Sequence, residues 1–475
     1  MRLYNSLSRS VEEFVPINEG EVKMYNCGPT VYKRQHIGNF RAFMMADLLR
    51  RAFEYQGYAV TQIMNITDVG HLTEDDVVDS QGEDKLQKEA ARRQMDPWEI
   101  AREEEKNFRD DLALMEIPPA HVYPRATDHV TEMIEMVERL LEKGLAYEVD
   151  GNVYFSITDW PEYGALSGNR LEDLEVGASG RVDDRSDKKH PLDFALWKRD
   201  EKHLMQWDSP WGRGFPGWHI ECSAMARKYL GDTFDIHTGG PDNKFPHHEC
   251  EIAQSEGCTG KQYVRYWIHC GWLEIGGRKM SKSKGKLYTI PELLDMGYTG
   301  KDLRLFMLKQ HYRAPLPFDL EMLDDAQKLR AKLNNFVANE MGRRPDGPVT
   351  EHIAQLITHS RTKFLEGLQD DLNTSVAFAV IHEFMTAVNR AQPSADDARC
   401  VVDFMNELDG VFGILDPIQD KGVLDADIDA LIQERIDARA ARNFQRADEI
   451  RDELQAKGIT LIDTAHGTEW QRNDS

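Results

Sequence analysis

The sequence predicts an α/β protein built around a parallel sheet, and three consecutive segments near its start carry that prediction. EVKMYNCG, at 21–28, has the β-branched and aromatic residues of a strand and ends at a glycine. FRAFMMADLLRRAFEYQG, at 40–57, repeats its apolar residues at helical spacing. AVTQIMNIT, at 59–67, indicates a second, mostly buried strand. A strand–helix–strand order of this kind implies parallel strands with a right-handed crossover.

Composition bounds the class of protein. A chain of 475 residues exceeds one hydrophobic core, so about two to four domains are expected. We find no apolar run long enough to span a bilayer and no secretory-signal core at the start, so we expect a cytoplasmic protein. Six cysteines in such a chain favour metal ligation or packing over disulfides. The net charge of −24 argues against unspecific nucleic-acid binding but leaves local basic patches open.

Later segments indicate an insertion, a basic loop, a helical region and an appended unit. Asp150-Gly151 joins two strand-like segments, which predicts a hairpin. The other indications, in chain order, are charged helices over about 76–116 broken at 96–98, a turn-rich insertion over about 159–217, a basic loop after a strand-like segment, helices after Phe318, and a last unit of two helices (about 425–442 and 444–457) and a hairpin.

The motif QHIGNF opens the first predicted helix. Free backbone N–H groups and the dipole at a helix N-terminus suit a phosphate. Gly38 would let a nucleotide approach the backbone closely, and His36 could donate a hydrogen bond to a phosphate oxygen. Alone, the motif is equally consistent with an ordinary loop histidine beside a helix-start glycine.

The segment GGRKMSKSKGK, at 276–286, places four lysines among small residues after a predicted strand. Such a loop can close on a triphosphate and neutralise the charge that develops during transfer at the α-phosphorus. A charge run is more often a solvated surface loop. The specific string KMSKS in an α/β chain favours the phosphate interpretation.

The segment FPHHECE, at 245–251, concentrates metal-ligating residue types. Pro246 suits a first helical turn, so we expect a helix on which His247 and Glu251 stand four apart and can share a metal. His248 then points elsewhere, although the pairs His247–Cys250 and His248–Glu251 are also geometrically feasible. Distant Cys27 and Cys222 would complete a zinc set. Buried cysteines beside a polar helix are the alternative.

Taken together, these motifs give the chain a resemblance to a known family. HIGN, the predicted metal-binding helix after Pro246 and KMSKS follow one another along the chain in that order. With this order the chain resembles the cysteinyl-tRNA synthetases, which are class I aminoacyl-tRNA synthetases, over essentially its whole length. The segments that carry the resemblance are MYNCGPTVY, HIGNFR, NITDV, PRAT, GWHIECSAM, HTGGPDNKFPHHECEIAQSE, KMSKSKG and the terminal RADEIRDEL…GITLID…GTEW.

The resemblance implies an α/β fold with a Rossmann-type parallel-sheet catalytic domain and an insertion, followed by an α-helical bundle and a small C-terminal α+β anticodon-binding module. The expected divisions are the first half of the catalytic domain at 1–120, the insertion at 121–210, the second half with the zinc site at 211–265, the stem-contact segment with KMSKS at 266–317, the bundle at 318–415 and the anticodon module at 424–475.

The resemblance also assigns site residues. The implied zinc ligands are Cys27, Cys222, His247 and Glu251. The implied contacts to the amino acid are Thr67, Trp218, His237 and Asp242. The implied contacts to ATP are Thr30, His36, Gly38, Asn39, Lys279 and Lys282, of which His36, Asn39, Lys279 and Lys282 are also the catalytic residues. Approximate matches to anticodon contacts are Arg439, Phe444, Asp448 and Asp463, with Arg435 and Arg442 extending a basic stripe.

Two positions depart from the family pattern. Asn39 stands where the strict HIGH signature has a second histidine, and many members resemble this chain there. Cys250 stands within the metal helix where an asparagine is expected, so it is an alternative ligand to Glu251. The first departure bears on catalysis and the second on the choice of Glu251 as the fourth ligand.

The implied reaction is the ATP-dependent joining of L-cysteine to tRNA(Cys), with Mg²⁺ accompanying ATP. Cysteine and serine differ by one atom, which size alone separates poorly. A zinc ion prefers a thiolate to a hydroxyl, so the metal would identify the substrate's sulfur. Because four protein ligands normally mark a closed structural zinc, we expect a fifth ligand, or loss of one, when cysteine binds.

Two rival functions remain open at the level of sequence. A cysteine ligase acting on a small amine would keep zinc, HIGN and KMSKS but would not need the module after about 424. A non-catalytic paralogue that binds RNA or stores zinc would not need to keep His36, Lys279 and Lys282 together. Nothing in the sequence marks a dimer interface, so we expect a monomer without membrane partners.

Overall fold

The structure is a computed structural model of the chain. It describes residues 1–70, 84–169, 188–275, 278–279, 286–340, 344–417, 422–441, 443–456, 459–464 and 467–472. Two compact units make up the chain, Met1–Leu415 and Asp416–Ser475. No helix within the described ranges is long and apolar enough to cross a bilayer.

The first unit contains strands and helices in alternation, followed by helices alone. Its described strands are β1 (Arg2–Asn5), β2 (Ser10–Glu13), β3 (Glu21–Asn26), β4 (Ala59–Met64), β5 (Ala146–Val149), β6 (Asn152–Phe155), β7 (Phe194–Arg199), β8 (Gly214–Pro216), β9 (Phe234–Gly239), β10 (Val264–His269), β11 (Leu273–Ile275), β12 (Arg278–Lys279) and β13 (Leu316–Pro317). Its described α-helices are α1 (Ile37–Tyr55), α2 (Lys85–Arg93), α3 (Pro97–Leu114), α4 (Val130–Glu142), α5 (Trp218–Leu230), α6 (Glu249–Thr259), α7 (Ile290–Asp295), α8 (Gly300–Leu308), α9 (Leu320–Glu340), α10 (Glu351–Gln369), α11 (Thr374–Ala391) and α12 (Ala395–Phe412).

The central sheet has the order β10-β9-β3-β4, and every neighbouring pair is parallel. Its strands are largely buried on both faces, as parallel strands covered by helices are. The parallel α/β prediction is therefore confirmed. Because the strands are parallel, their carboxyl ends meet at one edge, which is where open α/β sheets bind ligands.

Helix α1 follows β3 and lies against this sheet. Its apolar positions Phe40, Met44 and Leu48 are buried, as the helical spacing predicts. The helix begins at Ile37 rather than at Phe40, so the HIGN residues belong to its first turn. The chain then turns at Gly57, which has φ of +86°.

The insertion contains the predicted hairpin. Strands β5 and β6 pair antiparallel, and the two turn residues Asp150 and Gly151 have φ of +50° and +87°. Positive φ at both positions is what a tight two-residue hairpin turn requires. Strands β7 and β8 extend the hairpin into a four-stranded antiparallel sheet.

The predicted break at 96–98 is also confirmed, since Asp96 caps α3 by accepting from the Trp98 N–H at 2.7 Å.

Helices α9–α12 form the predicted helical region, and their starts are capped by polar side chains. Thr350, Asn373 and Ser394 accept hydrogen bonds from the first turns of α10, α11 and α12. The predicted domain boundaries inside the first unit stay predictions.

The second unit has the predicted order of two helices and a hairpin. Its described elements are α13 (Gly422–Ala440), α14 (Phe444–Ala456), β14 (Ile459–Thr464) and β15 (Gly467–Arg472). The strands pair antiparallel, and a small core of Ile428, Ile432, Ile450, Leu454 and Ile459 joins the helices to the hairpin.

Candidate active site and metal centre

A cleft of about 560 Å³ lies at the carboxyl edge of the central sheet. Residues that follow β3, β9 and β10 line it together with the first turn of α1. Seven residues predicted for the site from distant parts of the sequence lie on its wall, namely Cys27, Thr30, His36, Gly38, Asn39, Trp218 and Asp242.

The HIGN residues form the N-terminal cap of α1. His36 Nδ1 accepts the Gly38 N–H at 3.1 Å, and the Asn39 side-chain oxygen accepts the His36 N–H at 3.1 Å. This reciprocal pair is a capping box, with histidine and asparagine in the two roles. Asn39, which departs from the strict signature, therefore fixes the start of α1, the end of the helix that borders the cleft.

The basic loop is anchored beside the same cap. Strand β11 pairs antiparallel with β12, which contains Lys279, and the Ile37 N–H donates to the Tyr288 carbonyl at 2.8 Å. An isolated bridge also joins His36 to Thr289. The C-terminal end of the loop is thus fixed next to α1, while Lys282 and the side chain of Lys279 lie outside the described residues.

Four predicted metal ligands converge below the cleft. One ligand atom from each of Cys27, Cys222, His247 and Glu251 lies within 4.8 Å of the other three. His247 Nε2 is 3.2 Å and Cys27 Sγ is 3.9 Å from Glu251 Oε1. Cys222 and Glu251 are buried, whereas Cys27 is half-buried and lines the cleft.

These residues fit a zinc ion. Zinc binds sulfur, nitrogen and oxygen at about 2.0–2.3 Å, so the ligand atoms of a tetrahedral site lie roughly 3–4 Å apart. Burial raises the pKa of the Cys27 and Cys222 thiols. A divalent cation would favour the thiolate forms at this place. The donor set and its spacing are therefore compatible with a zinc ion.

The orientation predicted for His248 is wrong. Its Nε2 lies 3.1 Å from Cys27 Sγ, and Cys27, His237, His248 and Glu251 form a second, overlapping group of ligand atoms. The reason is local: α6 begins only at Glu249, and the preceding segment Lys244–His248 is kinked, with extended backbone at Phe245. Consecutive histidines therefore both approach the metal group, which regular helical spacing would not allow.

Thr67 and His237 lie behind the cleft wall rather than on it. The Thr67 hydroxyl donates to Glu221 Oε2 at 2.9 Å and accepts from the Asn65 side chain at 3.1 Å. The fully buried His237 ring contacts Glu251 Oε2 at 2.9 Å. In this structure both residues support other site residues, and Trp218 and Asp242 are the predicted amino-acid contacts that reach the cleft.

Cys250 does not belong to either ligand group. Its buried thiol lies 3.3 Å from the Tyr163 hydroxyl. Glu251 therefore keeps the position in the ligand set, and the asparagine-to-cysteine departure falls on a residue that packs against the insertion.

Sequence reasoning missed two supporting residues on α5. His219 Nδ1 lies 2.9 Å from His247 Nδ1, and burial lowers the pKa of His219 to about 3, so its ring is neutral. Glu221 is fully buried and binds the hydroxyl of Thr67. Their place in the segment WHIEC, between Trp218 and Cys222, is the only signal that could have indicated them.

The second unit presents part of the predicted anticodon surface. Phe444 is 62 % exposed, and Arg439 and Asp448 are also exposed. Arg435 is buried, so it does not extend an exposed basic stripe. The side chain of Asp463 and all of Arg442 lie outside the described residues.

Comparison with known proteins first defines the class. Residues 13–328 match the family model of the tRNA synthetases class I (C) catalytic domain, and 363–416 match the DALR domain. The fold is similar to Mycobacterium tuberculosis methionyl-tRNA synthetase bound by methionyl-adenylate (TM-score 0.56, 16% identity, 82% of this chain and 89% of that chain). It is also similar to the Agrobacterium radiobacter K84 LeuRS in a ternary complex (TM-score 0.60, 10% identity, 85% of each). The chain has the fold of a class I aminoacyl-tRNA synthetase.

The particular family follows from closer relatives. Residues 421–470 match the cysteinyl-tRNA ligase anticodon binding domain. The chain is 45% identical to the cysteine–tRNA ligase of Symbiobacterium thermophilum over 99% of both proteins, and 43% identical to that of Clostridioides difficile over 99% of this chain and 100% of the relative. The chain belongs to the cysteine–tRNA ligase family, as the sequence motifs indicate.

Proposed function

We propose that the chain activates L-cysteine with Mg-ATP and transfers the cysteinyl group to the 3′-terminal adenosine of tRNA(Cys). One observation carries the proposal most directly: the thiol- and imidazole-rich ligand group meets the cleft through Cys27, beside the N-terminus of α1. A thiol-binding position and a phosphate-binding position thus share one cavity.

The phosphate end of the cleft is formed by α1. The carboxylate of cysteine attacks the α-phosphorus of ATP, and pyrophosphate leaves. The His36 side chain and the positive end of the α1 dipole are proposed to hold the phosphates, because the Gly38 and Asn39 N–H groups already donate to His36 Nδ1 and to the His36 carbonyl. Lys279 and Lys282 neutralise charge that builds up on the leaving group. Positioning and charge stabilisation carry this step, and no protein nucleophile is needed.

The amino-acid end of the cleft lies over the ligand group. The Asp242 carboxylate lines the cleft and suits the α-ammonium of cysteine, while the Trp218 ring covers the metal-proximal wall by stacking on His247 at 4.3 Å. Thr67 and His237 hold this wall from behind. A zinc ion held by Cys27, Cys222, His247 and Glu251 would supply selection of a thiolate over a hydroxyl. The partial exposure of Cys27 supports a substrate-binding zinc over a closed structural one.

The second unit is proposed to bind the anticodon. Phe444 offers an exposed ring for stacking on an unpaired base, and Arg439 offers a positive charge for the phosphate backbone. Asp448 and Asp463 are proposed to contact base edges. We propose that the enzyme acts as a monomer in the cytoplasm, where its tRNA substrate is charged.

Transfer of labelled cysteine to unfractionated tRNA with Mg-ATP, run beside labelled serine, tests the proposal. We expect acid-precipitable cysteine counts that disappear on RNase treatment, with serine at background. Cys222→Ser should lose the cysteine counts. Cysteine-dependent pyrophosphate release without charging of tRNA would instead support a ligase acting on a small amine.

A further inference from the structure

Arg41 lies two residues after the HIGN motif and is 4 % exposed. Its guanidinium donates to four backbone carbonyls at the end of α8 and in the turn after it. The accepting carbonyls are those of Met307, Gln310 (3.3 Å), His311 (2.9 Å) and Tyr312 (3.5 Å). The side chain thus ties α1 to the C-terminal end of α8, where carbonyl dipoles favour a cation.

Among the described residues, Arg41 has no acidic counter-ion. Within the described part of the chain, no carboxylate forms an ion pair with its guanidinium, and its Nε has no hydrogen-bond partner. Arg304 makes the contrast: it is equally buried and also donates to backbone carbonyls, but it pairs with Asp47 at 2.7 Å. An unpaired buried cation is costly to a fold, so its presence at Arg41 calls for a charge supplied from elsewhere.

The location of Arg41 indicates the source of that charge. It lines the same cleft as His36 and Asn39. The turn that it holds is joined to the strand leading into the basic loop, because the Gly271 N–H donates to the Tyr312 carbonyl at 2.8 Å and β13 pairs with β11. Arg41 therefore connects the two segments to which phosphate binding is assigned.

We propose that Arg41 is a positioning residue for the nucleotide triphosphate: the phosphates are the counter-charge of its guanidinium, and its hydrogen bonds hold the base of the basic loop against α1. The inference rests on the proposed function, since it concerns the ATP of that reaction. Because the Arg41 guanidinium and the phosphates neutralise each other, the affinity for a nucleotide should rise with the number of its phosphate charges.

Titration calorimetry with adenosine, AMP and Mg-ATP, in the absence of cysteine, tests the charge dependence. For Arg41→Gln and Arg41→Met we expect adenosine affinity within about twofold of the unmodified enzyme and ATP affinity lowered about tenfold, with AMP between them, because the lost interaction scales with ligand charge. Arg41→Lys keeps the charge but reaches fewer carbonyls, so ATP affinity should stay within about threefold.

Arg304→Gln is the matched control, because it removes a buried guanidinium that has its own carboxylate. It should lower thermal stability without any loss that grows with the number of phosphates. Two neutral replacements of Arg41 are made so that the test can proceed if only one of them folds. For a variant too unstable for calorimetry, the rise in melting temperature on adding each nucleotide is measured instead.

The outcomes separate this inference from the proposed function. Equal loss of adenosine and ATP in the neutral variants, or loss of ATP in Arg41→Lys as large as in Arg41→Gln, overturns the charge role. If the unmodified enzyme shows no cysteine-dependent exchange of pyrophosphate into ATP, the proposed function fails instead. If the exchange occurs and the neutral variants bind ATP normally, only the inference about Arg41 fails.

Discussion

The thiol of Cys250 lies 3.3 Å from the hydroxyl of Tyr163, while its neighbour Glu251 places a carboxylate oxygen 3.2 Å from His247 Nε2. Two adjacent residues of α6 thus have different partners. Cys250 contacts Tyr163 of the insertion, and Glu251 belongs to the group of potential ligand atoms.

Replacing these neighbours should therefore have unequal effects on zinc. Cys250→Ser should retain about one zinc per chain by elemental analysis, because the thiol touches no ligand atom. Glu251→Gln and Cys222→Ser should lower zinc affinity by at least about 100-fold. Loss of a residue that only supports a ligand costs up to about 100-fold, and loss of a ligand itself should cost more. Zinc loss in Cys250→Ser with retention in Glu251→Gln would reverse the assignment.

The buried ion pair between Arg304 and Asp47 joins α8 to α1. Both side chains are almost fully buried, so removing Asp47 leaves the Arg304 guanidinium without a counter-charge, whereas removing Arg304 leaves Asp47 paired with Arg51 at 2.9 Å. Asp47→Asn should therefore lower the free energy of unfolding of the first unit by about 3–5 kcal/mol in urea titrations, and Arg304→Met should lower it by less. The double variant Asp47→Leu with Arg304→Met should lose less than the sum of the single changes. Additive losses would show that the pair does not act as a unit.

Asp68 should make stability depend on pH. Burial raises its pKa from 3.8 to about 6, partly opposed by hydrogen bonds from Thr127. Because the folded pKa is the higher one, this group's contribution is fully present below about pH 4 and is lost as pH rises through 6. Relative to Asp68→Asn, the free energy of unfolding should fall by up to about 3 kcal/mol across that window. A difference between the two proteins that stays constant with pH contradicts the raised pKa.

Removal of the second unit should separate the two steps of the reaction. The cleft, the ligand group and the described part of the basic loop all belong to the unit that ends at Leu415. A chain ending at Leu415 should keep cysteine-dependent exchange of pyrophosphate into ATP within about threefold, since it keeps every group that positions the reactants. Charging of tRNA should fall by a much larger factor. Loss of exchange to the same extent would show that the second unit is needed for cysteine activation.

Local sequence patterns predicted the elements that depend on local chemistry. The strand–helix–strand unit over 21–67 was predictable because its apolar spacing is set by burial, and the Asp150-Gly151 hairpin because its turn needs positive φ. The ligand set came from matching separated motifs to a family, with the spacing of His247 and Glu251 as local support.

The remainder depends on packing between elements that sequence spacing does not encode. The approach of His248 to Cys27 accompanies the kink at Phe245 before α6, whereas regular helical geometry predicted that His248 points elsewhere. The contact between His219 and His247 depends on how α5 lies against that kinked segment. Arg41 looked like one more residue of an amphipathic helix, because its carbonyl partners are more than 260 residues away.

Strand β3 has one sheet neighbour close in sequence and one very distant. It pairs with β4 through the crossover helix α1, but its other edge pairs with β9, about 210 residues later. The cleft thus cannot close until synthesis has passed the whole insertion, so assembly of the site is a late event dominated by long-range contacts. Extra residues in a flexible surface loop of the insertion cost the sheet little, because doubling the length of such a loop costs only about 0.6 kcal/mol. Changes of length between β4 and β9 should therefore be tolerated at exposed loops but not in segments that pack on the site, such as the one that contains Tyr163.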